Sequence, residues 1–379
     1  MSEFIKDSLK EIAISGIRQF NQKANEVEGV IKLTLGELDF NTPETIKQAV
    51  TDALANNFTK YTENKGLKEL RKKIALKYEY YHHDEIIMTV GTTEGLAIII
   101  KSVIDKGDEV IIPTPAYVGY KPLIVLEGAT VNELNLLDTN FAITRESLES
   151  VYSEKTKMMI VTNPNNPTGI IFSSDEMDII KEFVLDKDIL LVADEIYSEI
   201  DFYNKFSSFT KYPELKENLL CLNGFSKSHA MTGFRIGYIV GEELMMKHLL
   251  KTHQYSVTSA TSISQYAAIT ACDTDTRYMV ETLFKRKKYL CQRLDDMGLT
   301  YINPEGAFYV YCNISKYSKT SIGFCEKLLY QYKVACIPGY TFLGENREYI
   351  RMSYALKMED LEEALNRLET FIDKLKSAK

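Results

Sequence analysis

Ile189-Leu190-Leu191-Val192-Ala193-Asp194-Glu195-Ile196-Tyr197 runs apolar residues straight into two carboxylates and a phenol. An apolar run this short and this continuous suits a strand buried on both faces, because a half-wet strand would alternate. Working outward, the same texture recurs at 86–90, 110–112, 158–161, 219–222 and 236–240, with a weaker run at 129–134. Polar, helix-like stretches separate the runs. Roughly seven such strands alternating with helices predict an α/β fold, a mostly parallel sheet flanked by helices.

Beyond about residue 280 the texture changes. Glu281 to Met297 reads as a charged amphipathic helix, and Leu361, Ala364, Leu365, Leu368, Phe371, Ile372 and Leu375 recur at helical spacing. Short β-like pieces at 308–311 and 349–353 lie between them, which makes a smaller α+β unit. The expected division is a large domain over 41–280 and a small one formed by 1–40 with 281–379.

Composition narrows the class of protein. The chain has 379 residues, with Lys plus Arg at 45 against Asp plus Glu at 53, a net charge of −8. That balance argues against a nucleic-acid partner, which needs a basic face. The first residues carry no apolar signal core, and the longest aliphatic stretches, such as 96–100, are far too short for a membrane span. The six cysteines form no C-x-x-C pair, and His82, His83, His229, His248 and His253 show no helical metal spacing. The expectation is a cytoplasmic protein with no metal, no nucleic acid and no membrane.

The chemistry falls where the apolar runs end, and in open α/β sheets ligands bind beyond the carboxyl ends of the strands. After 86–90 come Gly91, Thr92 and Thr93, entering a helical stretch at 94–104; small residues at such a turn expose N–H groups to an anion. After 158–161 comes Asn163-Pro164-Asn165-Asn166-Pro167-Thr168-Gly169, a stiff loop that pre-positions an amide donor. Asp194 closes a buried strand, which is costly unless the carboxylate meets a cation. After 219–222 comes Asn223-Gly224-Phe225-Ser226-Lys227-Ser228-His229, running on to Arg235. A lysine among small and apolar residues is a candidate for a depressed pKa and a nucleophilic amine. Arg235 adds a planar cation suited to phosphate. An anion seat, a donor, a carboxylate, a phenol, an amine and a guanidinium together suit one ligand, pyridoxal 5′-phosphate, whose protonated ring stabilises a carbanion at the substrate α-carbon.

The same residues resemble a family. The stretch 224–237 looks like the lysine-attachment signature of class I/II aminotransferases, 163–169 resembles their N-P-x-N-P-T-G loop, and 194–197 their D-E-x-Y segment. The likeness extends to 35–40, to Lys60-Tyr61 before Gly66, to Gly306-Ala307-Phe308-Tyr309 and to 350–354. It implies that Lys227 condenses with the cofactor aldehyde and shuttles the proton, while Asp194 pairs with the pyridinium nitrogen. Asn166 and Tyr197 would hydrogen-bond the phenolic oxygen, and Tyr117 would stack on the ring. Gly91, Thr92, Thr93, Ser226 and Arg235 would hold the phosphate. Tyr61 would reach it from the neighbouring subunit, which implies a homodimer with a shared site. Arg351 would bind the substrate α-carboxylate in a two-pronged fashion, with the Gly36 backbone and Asn166 nearby.

One such scaffold supports several reactions. C–S β-lyase relatives tend to carry His where this chain has Asn165 and Tyr197, so transamination between an L-amino acid and a 2-oxo acid, with 2-oxoglutarate as acceptor, is expected over a lyase. Ligand sensors that keep this fold add an N-terminal DNA-binding module, and this chain enters the aminotransferase-like pattern almost at once. The segments 14–18, 253–255 and 262–265 resemble a bacterial subgroup associated with N-acetyl-L,L-diaminopimelate, with neighbours acting on aspartate or aromatic amino acids.

Overall fold

The computed structural model describes residues 4–344 and 347–377. All seven apolar runs become strands of one sheet: Ile86–Thr89, Glu109–Thr114, Thr130–Asn135, Thr156–Thr162, Leu190–Asp194, Leu219–Gly224 and Gly237–Gly241. From one edge to the other they lie in the order 86–89, 237–241, 219–224, 190–194, 156–162, 109–114 and 130–135. The strand Gly237–Gly241 runs antiparallel to both neighbours, and the other pairings are parallel.

Alternate residues of the inner strands enter opposite cores, which is why those runs are apolar without a break; the edge strand Thr130–Asn135 carries Asn132 and Glu133 and buries only Leu134. Leu190 and Val192 pack on one side of the sheet with Met158, Ile160, Leu220 and Leu222. Leu191 and Ala193 pack on the other with Met159, Val161, Ile180 and Phe183. Each fully buried aliphatic side chain contributes roughly 1.5–3 kcal/mol, so the strand ends are held on a stiff frame.

That frame aims residues at one place. Successive strands grow in one direction from 109–114 to 130–135 and in the other from 156–162 to 190–194 to 219–224, leaving a crevice at their carboxyl ends. The helix Gly91–Val103 points its N-terminus there. It starts at Gly91, not at 94, because Val90 N–H bonds back to Glu94 Oε2 at 2.8 Å and so closes the first turn early.

A second, antiparallel sheet has the strand order 337–338, 349–353, 309–313 and 300–302. The helices Arg277–Met297, Ser321–Tyr332 and Met358–Ser377 pack with it. The first of these begins four residues before the expected Glu281, with Met279 buried in its first turn. Phe20, Ala24, Leu33 and Leu38 share this core, and so do Ile196, Tyr197 and Ile200. The two sheets are thereby joined just where the chemistry-bearing loops emerge. Among the described residues no helix is long and apolar enough to cross a membrane.

Candidate active site

The crevice is a cavity of about 290 Å³. Gly36, Thr92, Thr93, Tyr117, Asn166, Asp194, Tyr197, Ser226, Lys227, Arg235 and Arg351 line it, although they span more than three hundred positions of the chain. Gly91 lies just behind the lining. Tyr61 does not join them; it stands 87% exposed on the surface of its own chain.

The floor is the end of the strand Leu190–Asp194. Asp194 is buried; its Oδ2 accepts from the Tyr120 hydroxyl at 2.8 Å, and its Oδ1 accepts from Ile196 N–H at 3.3 Å. Among the described residues no cation pairs with it, and burial pushes its pKa up to about 6. A protonated ring nitrogen is the partner such a carboxylate lacks. Tyr120 also bonds Thr162 Oγ1 at 2.6 Å, so a phenol and a hydroxyl fix the orientation of the acid.

Opposite stands Lys227, on the turn after Leu219–Gly224. Burial, with the Arg351 and Arg235 cations adding to it, brings its pKa down to about 8. Its Nζ donates to the Gly36 carbonyl. A lysine so lowered gives up its proton far more readily than an ordinary one and can act as an amine.

The anion seat forms at one end of the cavity. Arg235 has φ +52°, a left-handed conformation that turns its side chain back toward the helix N-terminus. The guanidinium packs so closely on Gly91 that an added Cβ there would fall 2.5 Å from Nη2. A Cβ on Gly237 would likewise meet Thr92 N at 2.8 Å. Glycine at both positions leaves the Thr92 and Thr93 amides, the helix end and Arg235 open to a phosphate.

At the other end Arg351 is 2% exposed. Its Nη1 donates to Asn166 Oδ1 at 2.9 Å, its Nη2 to the Thr34 carbonyl at 2.9 Å, and its Nε has no partner among the described residues. The guanidinium lies 4.2 Å from the Tyr309 ring centre. Thr34, rather than Gly36, is thus the backbone neighbour of this arginine. No described carboxylate balances it, so the seat suits one brought by a ligand. Asn166 uses its oxygen on Arg351 and keeps its amide N–H₂ for the cavity.

These are features a pyridoxal phosphate site requires: an acid without a cation, a lysine of lowered pKa, a stripped helix end beside a guanidinium, and a free amide. A model of class I and II aminotransferases matches residues 28–368. The chain belongs to that family. As a member, it is a transaminase whose cofactor is pyridoxal 5′-phosphate.

The relatives of this aminotransferase span several substrates. It is 37% identical over its full length, and over 98% of the relative, to a probable N-acetyl-LL-diaminopimelate aminotransferase of Bacillus subtilis. It is 31% identical, over 98% of itself and 99% of the relative, to aromatic-amino-acid aminotransferase 2 of Thermococcus litoralis. The crystal structure of aspartate aminotransferase from Thermotoga maritima superposes with a TM-score of 0.93 at 34% identity, covering 97% of this chain and 100% of that one.

Tyr120, Thr162, Thr34 and Tyr309 belong to the same constellation without having stood out in the sequence. Tyr309 sits in the G-A-F-Y segment, which was a usable signal; Tyr120 and Thr162 carry none, since their role exists only once the start of the helix Tyr120–Leu126 meets the ends of the strands 156–162 and 190–194. Elsewhere, His82, His83 and Asp84 bring potential ligand atoms within 4.8 Å of one another at the amino end of the strand Ile86–Thr89. Arg71 already donates to that Asp84 carboxylate at 3.2 Å, and the group lies outside the cavity.

Proposed function

We propose that this aminotransferase passes the α-amino group of an L-amino acid to a 2-oxo acid, 2-oxoglutarate, with N-acetyl-L,L-diaminopimelate as the leading donor and aspartate or aromatic amino acids next. The observation that carries the reading is Arg351: a buried guanidinium with a free Nε and no carboxylate of its own, sharing the cavity with a lysine whose pKa burial brings down to about 8. The full-length similarity to the Bacillus subtilis protein supports the leading donor.

In this reading each side chain has one task. Arg351 grips the substrate α-carboxylate and so fixes which face of the α-carbon meets Lys227. Lys227 would hold the cofactor at rest, and its Nζ would take the α-proton and return it on the far side of the transfer. Bound there, the cofactor supplies an electron sink for the pair left on the α-carbon. Asp194 keeps the ring nitrogen protonated, while Asn166 and Tyr197 donate to the phenolic oxygen. Tyr117 stacks on the ring. Gly91, Thr92, Thr93, Ser226 and Arg235 hold the phosphate.

Two further parts of the reading concern assembly. Residues 1–40 and 281–379 act as a small domain that closes on the 41–280 domain; Phe20 and Leu33 share a core with the 309–313 strand, with Ile196, Tyr197 and Ile200 of the large domain at the seam. Tyr61 serves the phosphate of a second copy in a homodimer, which accords with its exposure on its own chain.

The test is a panel of amino acids, each mixed with the holoenzyme and followed by single-turnover absorbance. N-acetyl-L,L-diaminopimelate and L-glutamate should convert the cofactor to its amine form fastest. Release of pyruvate and a thiol from cystathionine, with no conversion by glutamate, would overturn the reading.

A further inference from the structure

Two phenols meet inside the site, and between them they have one hydrogen bond. Tyr197 Oη and Tyr309 Oη lie 3.1 Å apart, both residues are buried, and neither hydroxyl has another hydrogen-bond partner among the described residues. Two protons and one bond leave one proton free. Both side chains line the cavity, so the free proton faces it. The direction of the bond therefore decides which phenol can donate to a ligand.

The surroundings choose the direction. The Arg351 guanidinium sits 4.2 Å from the Tyr309 ring centre, and a cation on a phenol ring makes its hydroxyl the better donor. Burial raises both phenols, Tyr197 well above the ordinary value; the Arg351 cation offsets part of the rise at each, and at Tyr309 it is the largest influence after burial. The Tyr309 hydroxyl also lies near Gly36, where an added Cβ would come within 3.3 Å of it. The rings meet edge to face, 5.9 Å between centres, which fixes both hydroxyls in place.

We propose that Tyr309 is a positioning residue: its hydroxyl donates to Tyr197 Oη and thereby leaves the Tyr197 proton aimed at the cofactor's phenolic oxygen. The inference rests on the reading of Tyr197 as a donor to that oxygen. In such a chain each bond polarises the next, so Tyr309 strengthens a contact it does not itself make. The cofactor's visible band then titrates at a pH set partly by a side chain that need not touch the cofactor.

The test is a spectrophotometric pH titration of the holoenzyme. Tyr197→Phe should raise the midpoint by about one unit, and Tyr309→Phe should raise it by about half a unit, a roughly threefold change in proton affinity. The double variant should titrate with Tyr197→Phe alone, because Tyr309 acts only through that hydroxyl. Tyr311→Phe, on the same strand but outside the cavity lining, should leave the midpoint unchanged, and full cofactor occupancy by absorbance certifies each fold. An unmoved midpoint in Tyr309→Phe, with Tyr197→Phe shifted, overturns the positioning role alone. An additive shift in the double variant overturns it too. An unmoved midpoint in Tyr197→Phe overturns the underlying reading of Tyr197 instead.

Discussion

Asp194 and Arg351 face the same cavity as opposite charges awaiting a partner, yet the chain treats them differently. Asp194 can take up a proton, and burial drives its pKa to about 6, so the cofactor-free site is able to neutralise its own acid. Arg351 has no such escape. It is therefore surrounded by standing compensation: an amide oxygen, a backbone carbonyl and an aromatic face. The acid is built on a strand end of the parallel sheet, and the arginine on the antiparallel strand Tyr349–Ser353. A buried acid can be left waiting with neutral donors; a buried guanidinium has to be held.

The sharpest way to break this comparison is to remove the amine that works between the two ends. Lys227→Ala should bind the cofactor non-covalently and lose transamination by roughly 10³–10⁴-fold, read by product formation together with loss of the visible band. If that variant keeps near-normal turnover, neither end is organised around position 227.

Replacing the acid tests its end alone. Asp194→Asn should slow transamination by about a hundredfold or more, since electrostatic support for the developing charge is lost. In the cofactor-free chain the same change should stabilise the fold. A carboxyl whose folded pKa rises from 3.8 to about 6 favours folding fully below pH 3.8, and that contribution is lost as the pH rises through about 6. Denaturant titration of the cofactor-free variant should therefore show no gain near pH 4 and a gain of up to about 3 kcal/mol above pH 6. A loss of stability at neutral pH would mean that Asp194 already has a cation.

The arginine end should respond differently. Arg351→Lys keeps the charge but not the fork, so KM for amino acid and oxo acid should rise by roughly 30- to 100-fold, with kcat changed much less. Steady-state kinetics with both substrates would read this split. A fall in kcat at unchanged KM would place Arg351 in the chemistry rather than in the grip.

Much of this was legible before any coordinates. Six apolar runs announced the sheet plainly because burial on both faces leaves no polar position to confuse the period; the seventh was weaker because the edge strand Thr130–Asn135 keeps Asn132 and Glu133 half-buried. Lys227, Asp194 and Asn166 stood out because a strand end is where polar residues become conspicuous. Tyr61 was equally legible as part of a motif, but it lies outside the cavity lining with its side chain mostly exposed. The starts of the helices at Gly91 and Arg277 were misplaced by three or four residues, because a backbone bond from Val90 and a buried Met279 leave little mark on local periodicity.

By itself, the sequence determined which residues carry charge and nucleophilicity and which strand ends present them, since both follow from local pattern. The tertiary structure decided how those groups are tuned. Tyr120 reaches Asp194 from a separate element and is itself held by Thr162, Tyr309 comes to Tyr197 from 112 positions away, and Asn166 meets Arg351 across 185. A pKa, a hydrogen-bond direction or an unpaired Nε depends on what surrounds a group in space, and linear order carries no record of that.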